Sequence, residues 1–236
     1  MSRRFEELDW QPTAMGEISL RRRLERTLEV DVYEVKLGEE FLMSSLFPVA
    51  EIELARLGLA ACPGDRLDVV VGGFGLGYTA VAALEDPRVR SLVVVEALAP
   101  VIGWHERELL PDAAGLATDP RARLVQGDFF ALAAAASPFS PDGPPRVHAV
   151  LLDIDHTPRH VLHPSHAAFY TTAGLDELRR HLLPGGVFAL WSDDPPDDDF
   201  MAVLRAGFGA AEAHVVSFAN PLTGGSSANT VYVAVG

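Results

Sequence analysis

Residues 67–96 read LDVVVGGFGLGYTAVAALEDPRVRSLVVVE, and this stretch decides the fold. A β-branched run enters a cluster of four glycines, Gly72, Gly73, Gly75 and Gly77. An alanine-rich helical segment follows, and a second apolar strand ends on Glu96. Glycines at that point permit a tight strand-to-helix turn and let backbone N–H groups approach a ligand with no Cβ in the way. An acid at the tip of the next strand can accept both hydroxyls of a ribose. The stretch predicts a nucleoside-binding half-site on a parallel sheet.

Outward from it the chain alternates. Strands are expected at 67–72, 91–96, 122–126, 147–153 and 186–191, and helices at 77–85, 99–110, 166–182 and 197–207. Strands as apolar as LVVVE and VHAVLLD belong in a sheet covered on both faces. Right-handed crossovers then give an open, doubly wound α/β sheet. The end of the chain differs, because AEAHVVSFAN and NTVYVAV flank the hairpin signals of PLTGGSSA. An antiparallel pair closing a mostly parallel sheet, seven strands in all, suits a sulfonium-nucleotide transferase better than a dinucleotide dehydrogenase. Upstream, residues 16–45 are strand-like and predict a small antiparallel sheet, with residues 1–15 a mobile tail or extended arm. The division is then a tail and small β domain over 1–45, and a Rossmann-like nucleotide-binding and catalytic domain over 46–236.

The glycines alone leave the ligand open. Counted from Gly73, a G-x-G-x-x-G fingerprint fails at Tyr78; counted from Gly75 it passes through Gly77 and Ala80. A dinucleotide therefore survives that test. RARLVQGDFFAL narrows the choice, since it ends a third strand on Gly127-Asp128 ahead of a short helix with Phe129 and Phe130. Asp128 can accept from an exocyclic amine such as adenine N6, and the neighbouring rings can wall a base. An N-cap role for Asp128 is compatible with this. With Glu96 it would hold the two ends of an adenosine.

The fourth strand delivers Asp153, Asp155 and His156 in DIDHTP. Carboxylates beside a sulfonium can hold an amine, and one can take its proton. Asp153 is the stronger base candidate because the strand fixes it, with Asp155 and His156 as its partners. WSDDPPDDDF adds Asp193 and Asp194 near the same edge, whereas Asp197, Asp198 and Asp199 read as a helix N-cap and first turn. His156, His160, His163 and His166 tempt a metal reading, but Pro158 and Pro164 break the helical spacing such sites use, and no metal is expected. No P-loop and no G-x-S-x-G is present.

Composition bounds the partners. The 236 residues carry 33 acids against 19 basic residues, a formal net charge of −14. Such a surface repels a phosphate backbone, so nucleic acid is not an expected partner, and the run Arg21-Arg22-Arg23 reads as a solvated strand face. Acidity suits a small cationic substrate. No apolar run is long enough for a membrane span and the N-terminus lacks a signal-peptide core, so a cytoplasmic location is the default. Cys62, the single cysteine, reads as a buried hydrophobe.

Together, VVVGGFGLGYTA, VVVEALAPVI, DPRARLVQGDFF, LLDIDHTP and AFYTTAGLDELRRHLLPGGVFALW resemble the spermidine synthase (polyamine aminopropyltransferase) family, across roughly residues 30–192. That family shares the class I methyltransferase fold behind a small N-terminal β domain. The resemblance implies a donor loop at Gly73, Gly75 and Gly77, a ribose acid at Glu96, an adenine-contacting acid at Asp128 beside Phe129, and a catalytic aspartate at Asp153. It further implies decarboxylated S-adenosylmethionine as co-substrate, a small amine as acceptor, and a homodimer. Two departures stand out. The family's D-[ST]-[ST]-D-P is here Asp153-Ile154-Asp155-His156-Thr157-Pro158, and its tyrosine-histidine-glutamate stretch is replaced by FPVAEIELA with Glu51 and Glu53. The donor half fits better than the acceptor half. A methyltransferase using ordinary S-adenosylmethionine on a small molecule, and a non-catalytic nucleoside-binding protein of the same fold, remain the alternatives.

Overall fold

The computed structural model describes residues 5–236. Two sheets organise it. Four antiparallel strands come first, β1 (Phe5–Thr13), β2 (Gly16–Glu25), β3 (Val30–Leu37) and β4 (Glu40–Ser44), paired in chain order. The expected arm is thus a full strand from Phe5 onward, paired with β2 along its length. Asp9 ties β1 to the main domain by accepting from Trp104 Nε1 and Arg107, both at 2.7 Å. The basic run lies on β2, where Arg22 meets Glu6 and Arg23 meets Glu34 and Glu25.

Helix α1 (Val49–Ala60) leads into the seven-stranded sheet, whose strand order is β10-β11-β9-β8-β5-β6-β7. Its strands are β5 (Leu67–Gly72), β6 (Val89–Glu96), β7 (Ala122–Gln126), β8 (Val147–Leu152), β9 (Leu182–Ser192), β10 (Ala210–Asn220) and β11 (Gly225–Val235). β5 through β9 are parallel, and β11 runs antiparallel to both β9 and β10. The strands' period of two splits the core in half. Val69, Val71, Leu92, Val94 and Leu151 pack on one face with α1, α2 (Tyr78–Glu85), α3 (Ala99–Glu106) and Ile18, Leu20 and Val35 of the small sheet. Val70, Val93, Val95, Val150 and Leu152 face α4 (Phe129–Ala134), α5 (Thr172–Arg179) and α6 (Asp198–Gly207).

Helices change face where the chain, having moved outward through β6 and β7, returns to β8 on the far side of β5. Open α/β sheets bind ligands at the carboxyl ends of the strands flanking such a switch point. Here those ends are Gly72 and Leu152, joined through the Asp153 N–H donating to the Gly72 carbonyl at 2.8 Å. Among the described residues no helix is long and apolar enough to cross a membrane.

Two helices depart from expectation. α3 stops at Glu106, because the chain turns at Glu108 with a positive φ of 54°. The helix expected over 166–182 is a 3-10 turn over Pro164–Ala168 followed by α5. Thr171 caps the second piece, and Gly174 lies where a Cβ would stand 2.4 Å from the Ala168 carbonyl oxygen.

Candidate active site

The turn after β5 places Gly73, Gly75 and Gly77 at φ of 89°, 48° and 93°, the left-handed region that favours glycine. Gly73 is also held sterically, since a Cβ there would stand 2.0 Å from the Asp153 carbonyl oxygen. The glycines therefore press the loop against the end of β8.

Glu96 closes the loop from the other side. Its Oε2 accepts from Phe74 N at 3.0 Å and its Oε1 from Leu98 N at 2.8 Å. Burial raises its pKa, and these backbone N–H groups oppose the rise. The N–H groups of Gly75 and Ala97 also face this carboxylate. His105 packs beneath, 3% exposed, stacked on Phe74 with ring centroids 3.5 Å apart and Nε2 2.9 Å from the Gly75 carbonyl oxygen. Burial pushes this imidazole down to about 4, so it is neutral and Nε2–H is the donor.

Asp128 caps α4, with Oδ1 accepting from Phe130 N at 2.9 Å and Ala131 N at 3.2 Å. It is exposed and lines the same pocket, and the cap contacts use Oδ1 alone, so Oδ2 is left without a cap contact. Phe129 is only 2% exposed. Its ring lies under Gly72 and stacks on Phe139 at 5.4 Å, which makes it the floor of the pocket, while Phe130 is the wall.

After β8 the structure separates the expected trio. Asp153 lines the cleft and accepts from Thr79 Oγ1 at 2.9 Å; burial raises its pKa to about 6. His156 also lines the cleft, with Nε2 3.2 Å from Glu40 Oε1 on the β3–β4 hairpin. Asp155 turns inward and is 1% exposed. It accepts from Leu162 N at 2.7 Å, from His166 Nδ1 at 2.8 Å and from Tyr170 OH at 2.8 Å. His166 in turn stacks on Phe130 at 3.9 Å. Asp155 thus anchors the Phe130 wall from inside the core and lines neither space.

The other loop histidines are engaged locally or open to solvent: His163 bonds Ser165 at 2.7 Å, and His160 is exposed. Among the described residues no three His, Cys, Asp or Glu side chains converge to hold a metal ion.

Two adjoining spaces result. A narrow one of about 90 Å³ lies between Glu96, Leu98, Asp128, Phe130 and Ile154, roofed by Leu42 and Met43 of β4. A wider cleft of about 560 Å³ shares Met43, Phe74, Gly75, Asp153 and Ile154 with it. Tyr78, Trp191 and Phe218 wall the wider cleft, and Glu51, Asp153 and Asp193 are its carboxyl groups. Among the described residues lining either space there is no lysine or arginine.

Glu51 was named from the sequence, with Glu53, only as an acid in FPVAEIELA and was given no site role, although a signal was there. It shares a helical stripe with Leu54, Ala55 and Gly58, all buried, and an acid on an apolar stripe marks a cleft or a buried pair. Burial and the charges of Asp153 and Asp193 push its carboxyl up to about 8.

No family model and no curated protein sequence matches this chain. Solved structures do. Spermidine synthase from Thermotoga maritima aligns with a TM-score of 0.71 over 97% of this chain and 72% of its own, at 15% identity. A spermidine synthase in complex with the transition-state analogue AdoDATO gives the same score and coverages at 17% identity. Human methyltransferase-like protein 13 in complex with SAH gives 0.59 over 78% of this chain and 81% of its own, also at 17%. The fold is therefore that of the class I S-adenosylmethionine-dependent methyltransferases, preceded by an N-terminal β element.

Proposed function

We propose that the protein is a transferase that moves the aminopropyl group of decarboxylated S-adenosylmethionine to a small amine. The observation that carries this reading is the acidic cleft, without lysine or arginine, beside the nucleoside pocket. An ordinary S-adenosylmethionine directed into that cleft brings its α-carboxylate towards Asp153 and Asp193 with no cationic side chain to receive it. The decarboxylated donor brings an ammonium instead, and like charges at short range are costly where water is partly excluded.

The residues fit such a donor. Glu96 offers a carboxylate for the ribose diol, Asp128 offers an acceptor for the base amine, and Phe130 and Ile154 offer apolar walls. The donor supplies a carbon made electrophilic by its sulfonium. Asp153, fixed by β8 and by Thr79, orients the acceptor nitrogen and accepts its proton, while Tyr78, Trp191 and Phe218 enclose the amine's carbon chain. A neutral amine attacks, the carbon–sulfur bond breaks, and the thioether 5′-methylthioadenosine leaves. Holding nucleophile and electrophile in line is the principal contribution such a site makes.

A second reading, methyl transfer to a small molecule, is favoured by one feature. Asp155, the carboxylate nearest to the family's second acceptor acid, is turned into the core. Titration calorimetry separates the two readings. The decarboxylated donor should bind at least ~10-fold more tightly than S-adenosylmethionine, about 1.4 kcal/mol. Preference for S-adenosylmethionine would instead select the methyltransferase reading.

A further inference from the structure

Glu51 sits in the first turn of α1 and lines the cleft, yet its Oε2 is buried with no hydrogen-bond partner among the described residues. A buried carboxylate oxygen left without a partner carries a desolvation cost, so a fold retains one against an alternative as simple as glutamine for a reason. Its surroundings suggest the reason. On one side stands Asp153, linked to Glu51's own backbone by the Thr79 hydroxyl, which lies 2.9 Å from Asp153 Oδ2 and 3.2 Å from the Glu51 carbonyl oxygen. On the other stands Asp193, exposed at the end of β9 and held by Asn229 Nδ2 at 2.7 Å. Tyr78 and His156 complete the titratable groups around the cleft. The Tyr78 hydroxyl donates to Asp112 at 2.7 Å, and His156 is paired with Glu40. Arg56, further along α1, is engaged with Glu53 and Glu85. Three carboxyl groups therefore line one cleft, Asp153 at the end of β8, Glu51 on α1 and Asp193 open to solvent, and the charges of the other two act on Glu51.

Building on the amine-transfer reading above, we propose that Glu51 relays the acceptor's proton from Asp153 to bulk water past Asp193. The balance requires that one proton leave the site. An ammonium acceptor and a sulfonium donor yield a secondary ammonium product, a neutral thioether and one proton. A carbon–nitrogen bond forms, a carbon–sulfur bond breaks, and its electron pair stays on sulfur. Asp153 takes the proton from the amine before attack and must lose it before the next cycle. In the empty cleft the relay holds a proton of its own, because burial and its neighbours raise the Glu51 pKa; an arriving cation expels that proton and leaves the carboxylate free to receive the next one.

Glu51→Gln keeps the volume and polarity of the side chain but cannot carry a proton. Turnover at pH 7 should fall by about 10²-fold, at the lower end of what a positioned proton-transfer group contributes. The deficit should narrow above about pH 10, where an aliphatic amine arrives already neutral. Affinity for 5′-methylthioadenosine should be unchanged. A deficit that is the same at every pH would assign Glu51 a structural role and overturn the relay.

Proton release supplies a second readout that does not need turnover. Protein saturated with 5′-methylthioadenosine is titrated with 1,4-diaminobutane at pH 7 in phosphate and in Tris, whose ionisation enthalpies differ. The wild type should release close to one proton and Glu51→Gln close to none. Equal release from both proteins overturns the proposal. A wild type that releases the proton but transfers nothing sinks the transferase reading, while Glu51 remains the cleft's exchangeable-proton group. Failure to bind the diamine at all sinks both.

Discussion

Glu51 gives the site a thermodynamic signature that is independent of any ligand. Its carboxyl is raised from 4.5 to about 8, chiefly by burial and then by the charges of Asp153 and Asp193. In the folded protein it keeps a proton that the unfolded chain gives up near its ordinary value. Between those two values the native state binds more protons, so stability falls as pH rises through the window and the full penalty is present above about 8. The penalty is on the order of a few kcal/mol, since each pKa unit corresponds to about 1.4 kcal/mol. Asp153, raised to about 6, acts in the same direction over a lower window. Glu51→Gln removes the larger contribution. It should leave the melting temperature at pH 5 almost unchanged and raise it at pH 8.5, by about 2–4 °C for each kcal/mol recovered in a chain of this size. Thermal melts followed by circular dichroism at pH 5, 7 and 8.5 measure this directly. A variant whose gain does not grow with pH, or one less stable than wild type at pH 8.5, refutes the placement of an ionisable Glu51 in a desolvated cleft. A stabilised variant that also turns over more slowly is the trade-off expected of a functional carboxylate.

Three further substitutions separate the roles of the other acids. Asp153→Asn should lower turnover by about 10²–10⁴-fold with near-normal affinity for 5′-methylthioadenosine in calorimetry; full turnover in the folded variant removes its assigned role. Glu96→Gln should weaken nucleoside binding by about 10-fold or more, from lost charge-assisted bonds individually worth about 1.5–3 kcal/mol. Because Glu96 also accepts from Phe74 and Leu98, it should lower the ligand-free melting temperature as well, and unchanged affinity would contradict the ribose assignment. Asp155→Asn disturbs three buried hydrogen bonds and should cost about 1–3 kcal/mol of stability. Turnover per folded molecule should stay near wild type, and a selective loss of kcat would return Asp155 to the chemistry.

The sheet's centre was legible because its strands are apolar on both faces, so β5 has the limits its sequence suggests and β8 differs by one residue. The glycine turn was legible for a related reason, since the left-handed angles at Gly73, Gly75 and Gly77 leave their mark on residue type. β1 was harder to read. FEELDWQPT is polar and half-exposed, and it is a strand because β2 lies beside it and Asp9 reaches Trp104 across 95 positions. Asp153 and Asp155 looked equivalent in DIDHTP, two residues apart at a strand end. What divides them is that donors 7, 11 and 15 positions downstream capture Asp155, and no local pattern records that. Glu51, named in FPVAEIELA, was given no site role for the opposite reason. Its apolar stripe was visible, but the Asp153 and Asp193 charges that give it meaning arrive from β8 and β9.

The measurement that bears most directly on the account is a product analysis with a labelled donor. Wild-type protein is incubated with decarboxylated S-adenosylmethionine carrying ¹³C in its aminopropyl chain, together with a panel of small amines, and the mixture is resolved by mass spectrometry. The account predicts that the label appears in one amine as an added three-carbon amine unit, with an equimolar amount of 5′-methylthioadenosine, and that both vanish in Asp153→Asn. Formation of S-adenosylhomocysteine with a methylated acceptor from ordinary S-adenosylmethionine, and no labelled amine from the decarboxylated donor, contradicts it.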